Sequence, residues 1–158
     1  MRQNLRIALT KGRLQDKSVE LFEAIGLDCS PIRSPGRRLI HALPNYPLEA
    51  VLAKAPDVIT YVEHGVCDLG IVGKDTILEQ GKSFYEVLDL GFGRCRFALA
   101  VREGSDFYGT YRTRRVASKY PNVTKQFFAR KGMDVDIIKI EGSVELAPIL
   151  DLADGIVD

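Results

Sequence analysis

The sequence has no tryptophan, two histidines, three cysteines, and no apolar run approaching the ~20 residues of a membrane-spanning helix. Each shortage excludes something. Cys29, Cys67 and Cys95 are odd in number, widely spaced and without a CxxC pair, so neither a disulfide framework nor a zinc or thiol-redox motif is expected, and they read as reduced and structural. His41 and His64 stand apart from other ligand types, which argues against a protein-held metal cage and against a histidine pair acting as base. The opening MRQNLRIAL is too short an apolar run for a signal peptide, so a cytoplasmic protein is expected. A net charge of only +1 gives no reason to expect a nucleic-acid partner, and no membrane partner is expected either.

What is present is an ordinary soluble mixture, 46% apolar and 27% charged, over 158 residues. That length suits one domain or two small lobes. Residues 5–9 read as a central strand covered on both faces, followed by a helix over 14–25 that Gly26 stops. A loop rich in Pro, Ser, Gly and Arg leads to a short strand at 39–43, a turn at 44–47 and a segment at 48–54 expected to be helical. A helix at 58–64, a buried strand at 68–72 and a helix at 76–80 come next. Two apolar runs, YEVLDL and RCRFALAV, joined by Gly91-Phe92-Gly93, read as extended chain carrying the crossover between two lobes, 1–94 and 95–158. The second lobe reads as strand 115–118, helix 122–130, strand DVDIIKI, a turn at Glu141-Gly142-Ser143, a helix through Leu150 and a last strand GIVD. The class is α/β. Ending directly after an apolar strand, where a functional loop is expected, the sequence looks truncated at its C-terminus.

The common catalytic motifs are missing: no GxSxG, no HExxH and no EF-hand loop. GIVGKD has too few residues between its glycines for a P-loop, and GFGRCR has only two glycines of a dinucleotide fingerprint. Four short turns remain. Lys11-Gly12-Arg13 opens a helix, so turn amides, the positive end of the helix dipole and two side-chain cations converge where an anion is favoured. SPGRRL places Arg37 and Arg38 before a strand, where a guanidinium fork can clamp phosphate. Gly73-Lys74-Asp75 is a strand-to-helix turn in which Asp75 is placed as an N-cap, and Glu141-Gly142-Ser143 with Glu145 has the look of a capping arrangement. Taken singly, each has a structural explanation as a solvated turn, a basic loop or a cap. Taken together, with Lys119-Tyr120-Pro121-Asn122, they sit at expected strand ends and would line a cleft suited to a polyanion with or without Mg²⁺.

The pieces LTKGR, SPGRRL, DVITYVEHGVCDLGIVGKD, KYPNVTKQFFARKG and EGSVELAPILDLADGIVD, in this order and spacing, resemble the short-form catalytic subunit of the ATP phosphoribosyltransferase family, from Leu5 to Asp158. The resemblance implies two lobes like those of a type II periplasmic binding protein, with the active site between them. It implies condensation of adenine N1 of ATP with phosphoribosyl pyrophosphate, giving phosphoribosyl-ATP and pyrophosphate with substrate-bound Mg²⁺, at the first step of histidine biosynthesis. Carried across, Arg13 and Arg37 would be catalytic, neutralising ATP and pyrophosphate oxygens; Lys11, Gly12, Gly73, Lys74, Asp75, Ser143 and Glu145 would bind substrate. A regulatory subunit resembling histidyl-tRNA synthetase is the implied partner, and self-association is expected. Two departures stand out. The Gly/Thr-rich phosphate loop and the return crossover to the first lobe are not in this sequence, so a chain truly ending at Asp158 is expected to be inactive; and Asp151 falls where the family usually has Gly. The rival expectation is a non-catalytic two-lobed module that binds an anion or nucleotide.

Overall fold

Ile7, Ala8 and Leu9 in succession cannot alternate between core and water, so the strand that carries them has to be covered on both faces. In the computed structural model, which describes residues 4–34, 36–81, 84–109 and 111–158, they lie in β1 (Leu5–Thr10), with Ala8 and Leu9 fully buried. The elements that follow are α1 (Arg13–Ala24), α2 (Ser30–Arg33), β2 (Ile40–Ala42), β3 (Leu48–Ala53), α3 (Ala55–Glu63), β4 (Leu69–Ile71) and α4 (Lys74–Gln80). They build a sheet of order β2-β3-β1-β4, in which β1 is parallel to β3 and β4 while β2 runs antiparallel to β3.

The alternation along β1 divides the core. Ile7 and Leu9 pack with Val19 and Phe22 of α1 and with Ile32 of α2, whereas Ala8 packs with Val51, Val58 and Cys67 on the side of α3. Helices therefore cover both faces of the sheet, and each fully buried aliphatic side chain contributes on the order of 1.5–3 kcal/mol. Small residues let α3 come close: a methyl group on Gly70 of β4 would stand 2.8 Å from Val58 Cγ1 and 3.0 Å from Val62 Cγ2.

The remaining elements are β5 (Leu99–Val101), β6 (Arg114–Ser118), α5 (Pro121–Arg130), β7 (Val135–Lys139), α6 (Leu146–Ile149) and β8 (Gly155–Val157). They form a second sheet, β5-β8-β6-β7, again three parallel strands with one antiparallel edge strand. Val116, Val157 and Phe107 pack with Phe128 of α5, while Ala117 packs with Ala147 and Ala153 on the side of α6. Buried Arg114 holds the preceding loop, donating from Nε to the Phe107 carbonyl at 2.9 Å and from its terminal nitrogen to the Asp106 carbonyl. The chain divides into two compact units, Met1–Ile77 with Ser83–Arg94, and Leu78–Lys82 with Cys95–Asp158, so the last turn of α4 belongs with the second.

Several expectations are corrected. Residues 48–54 are not a helix but β3, the strand between β2 and β1. Leu and Ala favour helix locally, yet a run buried at almost every position is stabilised more by two ladders of sheet hydrogen bonds. Of the two apolar runs at 85–101, only Leu99–Val101 forms a strand; Tyr85, Val87 and Leu88 are exposed and pair with no strand among the described residues. Part of the Arg-rich loop is the short helix α2, and the helix expected to run through Leu150 is only the four residues of α6. Among the described residues Cys29, Cys67 and Cys95 form no disulfide, the first two being buried and the third exposed; burial pushes the Cys29 thiol pKa up and so keeps it protonated.

Candidate functional site

Parallel strands deliver their carboxyl ends to one edge of a sheet, and in the first unit that edge collects positive charge. After β1 the chain turns through Lys11, Gly12 and Arg13; after β3 it passes Lys54; after β4 it passes Gly73 and Lys74. Arg37 and Arg38 precede a strand, but β2 is antiparallel and pairs Ile40 with Val51 and Ala42 with Glu49, so its entry lies at the exit of β3. Reversal of one strand thus brings a leading turn to the edge where the other three strands place trailing turns.

Local geometry explains the residue choices. Gly12 sits at φ 93° and ψ −147°, a conformation that side-chain-bearing residues rarely adopt. The Lys11 amide donates to the Ala53 carbonyl at 2.9 Å, locking the turn to the end of β3, and the Gly12 carbonyl accepts the Asp16 N–H at 3.2 Å to start α1. Arg13 is the first residue of that helix. Gly36 also has positive φ, at 57°, ahead of Arg37; Pro35 of the same turn lies outside the described residues. The side chains of Lys11, Arg13, Arg37, Arg38 and Lys54 are exposed, and among the described residues they take part in no hydrogen bond or ion pair. Cations gathered at one edge without carboxylate partners repel one another and favour an incoming anion.

The third turn differs. Lys74 forms an ion pair with Glu86. Asp75 is not the N-cap: the Gly73 carbonyl accepts the Thr76 N–H at 3.1 Å, which makes Gly73 the cap and Asp75 the second residue of α4. The Asp75 carboxylate leans back into the space a Cβ on Gly73 would fill, so a larger residue there would have to displace that side chain.

In the second unit Ser143 and Glu145 lie in the loop after β7, at the carboxyl edge of the second sheet, and both are exposed. The capping arrangement expected there is not formed: Glu145 is at the cap position of α6 in helical conformation, φ −59° and ψ −22°, with no side-chain cap bond. Nearby, Lys139 and Glu141 pair at 2.7 Å, and the hydrogen bond that the ammonium donates to Glu141 raises the Lys139 pKa. At the same edge the N-terminus of α5 is occupied by the protein's own carboxylate, Glu79, which accepts from the Asn122 and Val123 N–H groups at 3.1 Å each. Asn122 donates its side-chain amide to the Glu79 carbonyl at 2.9 Å, so the Lys119-Tyr120-Pro121-Asn122 turn is committed to structure.

Asp151 takes a left-handed conformation at φ 56°, and it is the single residue other than glycine to do so among those described. The turn thus keeps a backbone shape that suits glycine, with an aspartate held by Arg102 at 2.9 Å. Lys54 is the candidate that sequence reasoning missed; its signal was the buried strand before it, hidden when 48–54 is read as helix. Among the described residues no three His, Cys, Asp or Glu side chains form a metal-binding group, and no helix is long and apolar enough to cross a membrane.

Unpaired cations on one sheet edge, beside a glycine turn that opens a helix, are an arrangement that favours an anion, and the α/β chain with its two four-stranded units has the two-lobed architecture of the type II periplasmic binding proteins. The family profile described as HisG, ATP phosphoribosyltransferase, matches residues 54–158. The chain is 59% identical over 156 residues to the ATP phosphoribosyltransferase of Clostridium kluyveri, covering 99% of this chain and 71% of that protein. It is 59% identical over 157 residues to the enzyme of the same name from Clostridium acetobutylicum, covering 99% of this chain and 73% of that one. Among solved structures, an ATP phosphoribosyl transferase (HisG:HisZ) complex from Thermotoga maritima matches with a TM-score of 0.76 at 31% identity, over 98% of this chain and 73% of that one. The chain belongs to the ATP phosphoribosyltransferase family. It is a pentosyltransferase of histidine biosynthesis, joining ATP to phosphoribosyl pyrophosphate with release of pyrophosphate, and catalysis in the family uses a metal ion.

Proposed function

We propose that Arg13 and Arg37 are the groups that neutralise substrate and pyrophosphate oxygens in the transition state, with Lys11 assisting. The observation that carries this reading is the set of exposed, partnerless cations on one sheet edge. The chemistry fits them. Adenine N1 attacks with a lone pair and has no proton to lose, so the N1–C1 bond forms as the bond from C1 to pyrophosphate breaks, and the leaving group departs with the electron pair. No general base is required; two polyanions must be held together and the charge developing on pyrophosphate stabilised. Planar guanidinium forks, matched to phosphate oxygens, suit that task.

Gly12 admits the turn that presents Arg13, and Gly73, Lys74 and Asp75 form the next turn on the same edge. Ser143 and Glu145 would contribute from the carboxyl edge of the second sheet. The metal is Mg²⁺ carried on the substrates' phosphates. A HisZ-type regulatory subunit resembling histidyl-tRNA synthetase is the expected partner, supported by the complex in which the Thermotoga relative was solved. Homo-oligomerisation and a cytoplasmic location complete the reading, the latter supported by the family's role in biosynthesis.

Steady-state kinetics on the enzyme with the Gly/Thr-rich phosphate loop and return crossover in place test the assignment. Arg13→Ala and Arg37→Ala are each expected to lower kcat by about 10²–10³-fold, with KM little changed, as for loss of a contact made chiefly in the transition state. A raised KM at unchanged kcat would reassign the arginine to ground-state binding.

A further inference from the structure

The edge strand β2 reverses the usual order of burial. Ile40 is 54% exposed while the polar His41 beside it is 5% exposed, so the single inward position of this three-residue strand holds an imidazole. A buried polar ring needs a partner, and it has one: His41 Nε2 lies 3.2 Å from the Arg38 carbonyl oxygen. A carbonyl only accepts, so the ring nitrogen facing it carries the proton and donates. The bond spans three residues and closes a loop around Leu39 and Ile40, directly behind the Arg37-Arg38 turn. Beyond it, a bond from the Leu52 N–H to the Leu39 carbonyl at 2.8 Å ties the entry of β2 to β3. Both guanidinium groups are exposed and partnerless, so their own side chains do nothing to fix the turn.

We propose that His41 is a positioning residue for phosphoribosyl transfer: from inside the first unit it holds the backbone of Arg38 and thereby sets where Arg37 presents its charge. The inference rests on the reading of Arg37 given above. Buried beneath the turn, the ring does not touch substrate. It acts by keeping a cation-bearing loop in register, and displacement of a catalytic group by about 1 Å is enough to lower a rate by up to 10²-fold.

The test compares His41→Leu, which fills the space without a donor, with His41→Gln, which restores an N–H, in the wild-type and Arg37→Ala backgrounds. His41→Leu is expected to lower kcat about tenfold or more with KM for ATP little moved, His41→Gln to recover most of the loss, and His41→Leu to add nothing once Arg37 is alanine. If Arg37→Ala lowers kcat and His41→Leu does not, the inference fails and the reading of Arg37 stands. If neither changes kcat, the reading of Arg37 fails and takes the inference with it. Multiplicative losses in the double variant would place the effect of His41 elsewhere and overturn the proposal. Nitrogen-15 NMR of the unmutated protein gives a readout that needs no variant: a proton on Nε2 is expected, and a ring protonated on Nδ1 alone would sink the proposal.

Discussion

Glu79 at the end of α4 should matter more than a half-buried surface carboxylate ordinarily does. Tyr120, the cap residue of α5, makes no side-chain cap bond, and the first two free amides of that helix are bound instead by the two oxygens of Glu79, at 3.1 Å each. Replacing a helix cap by alanine costs about 0.5–2 kcal/mol, and a carboxylate at a helix N-terminus contributes a further ~0.3–1 kcal/mol through the dipole. Partial exposure keeps the total toward the lower part of that range, so Glu79→Ala is expected to destabilise the second unit by about 1–2 kcal/mol. At roughly 2–4 °C per kcal/mol for a chain of this size, the melting temperature falls by about 2–8 °C. The backbone carbonyl of Glu79 still accepts from Asn122, so the variant isolates the carboxylate. Glu79→Gln keeps one acceptor oxygen and should fall between. Urea unfolding followed by circular dichroism gives the global change, and hydrogen exchange at the Asn122 and Val123 amides gives the local one. A stability change below about 0.3 kcal/mol, with exchange at those amides unaltered, would refute the argument.

Other sites give sharper signs. Gly70→Ala pushes a methyl into Val58 and Val62 and should cost about 1–3 kcal/mol by urea unfolding; adding Val62→Ala should restore part of it, and no recovery would mean the strain lies elsewhere. Asp154 is subject to burial that pushes its pKa up, but the Arg115 N–H at 2.8 Å and the Arg112 guanidinium outweigh this and hold it below the usual carboxylate range. A pKa lowered on folding contributes stability that is present above the ordinary aspartate value, near pH 4, and is lost as pH falls through the lower folded value. Asp154→Asn should therefore destabilise by about 1 kcal/mol at pH 7, and the gap should close on acidification below about pH 4; a gap independent of pH contradicts the assignment.

Much of the fold could be read from the sequence because its strongest signals are local. Gly26 and Gly132 end helices, Pro56 and Pro121 stand in first turns, and the apolar runs of β1 and β8 fit only buried strands. What escaped depended on distant partners. LEAVLA has helix-forming composition and becomes a strand through neighbours supplied by Leu5–Thr10 and Ile40–Ala42. YEVLDL has strand-forming composition and finds no strand to pair with among the described residues, so Val87 and Leu88 remain in water. The candidate site shows the same division. Lys11, Gly12 and Arg13 are legible as a turn because strand, glycine and helix are contiguous. That Arg37 shares their edge depends on the direction of β2, which no local pattern encodes, and the mistaken cap roles of Asp75 and Glu145 came from spacing read without the backbone conformation that decides them.

The brevity of β2 has a consequence for how insertions and deletions act. Three register pairs and one flanking hydrogen bond at each end tie it to β3, and successive side chains point to opposite faces, so sliding it by one position would expel the imidazole and bury Ile40 instead. The surface turn at residues 44–47 is what meters that alignment. Gaining or losing one residue there, in a place that looks permissive, would shift the arginine-bearing turn at the far end of the strand by about 3.3 Å, the rise of a single strand residue, and would do so without touching any group that meets substrate.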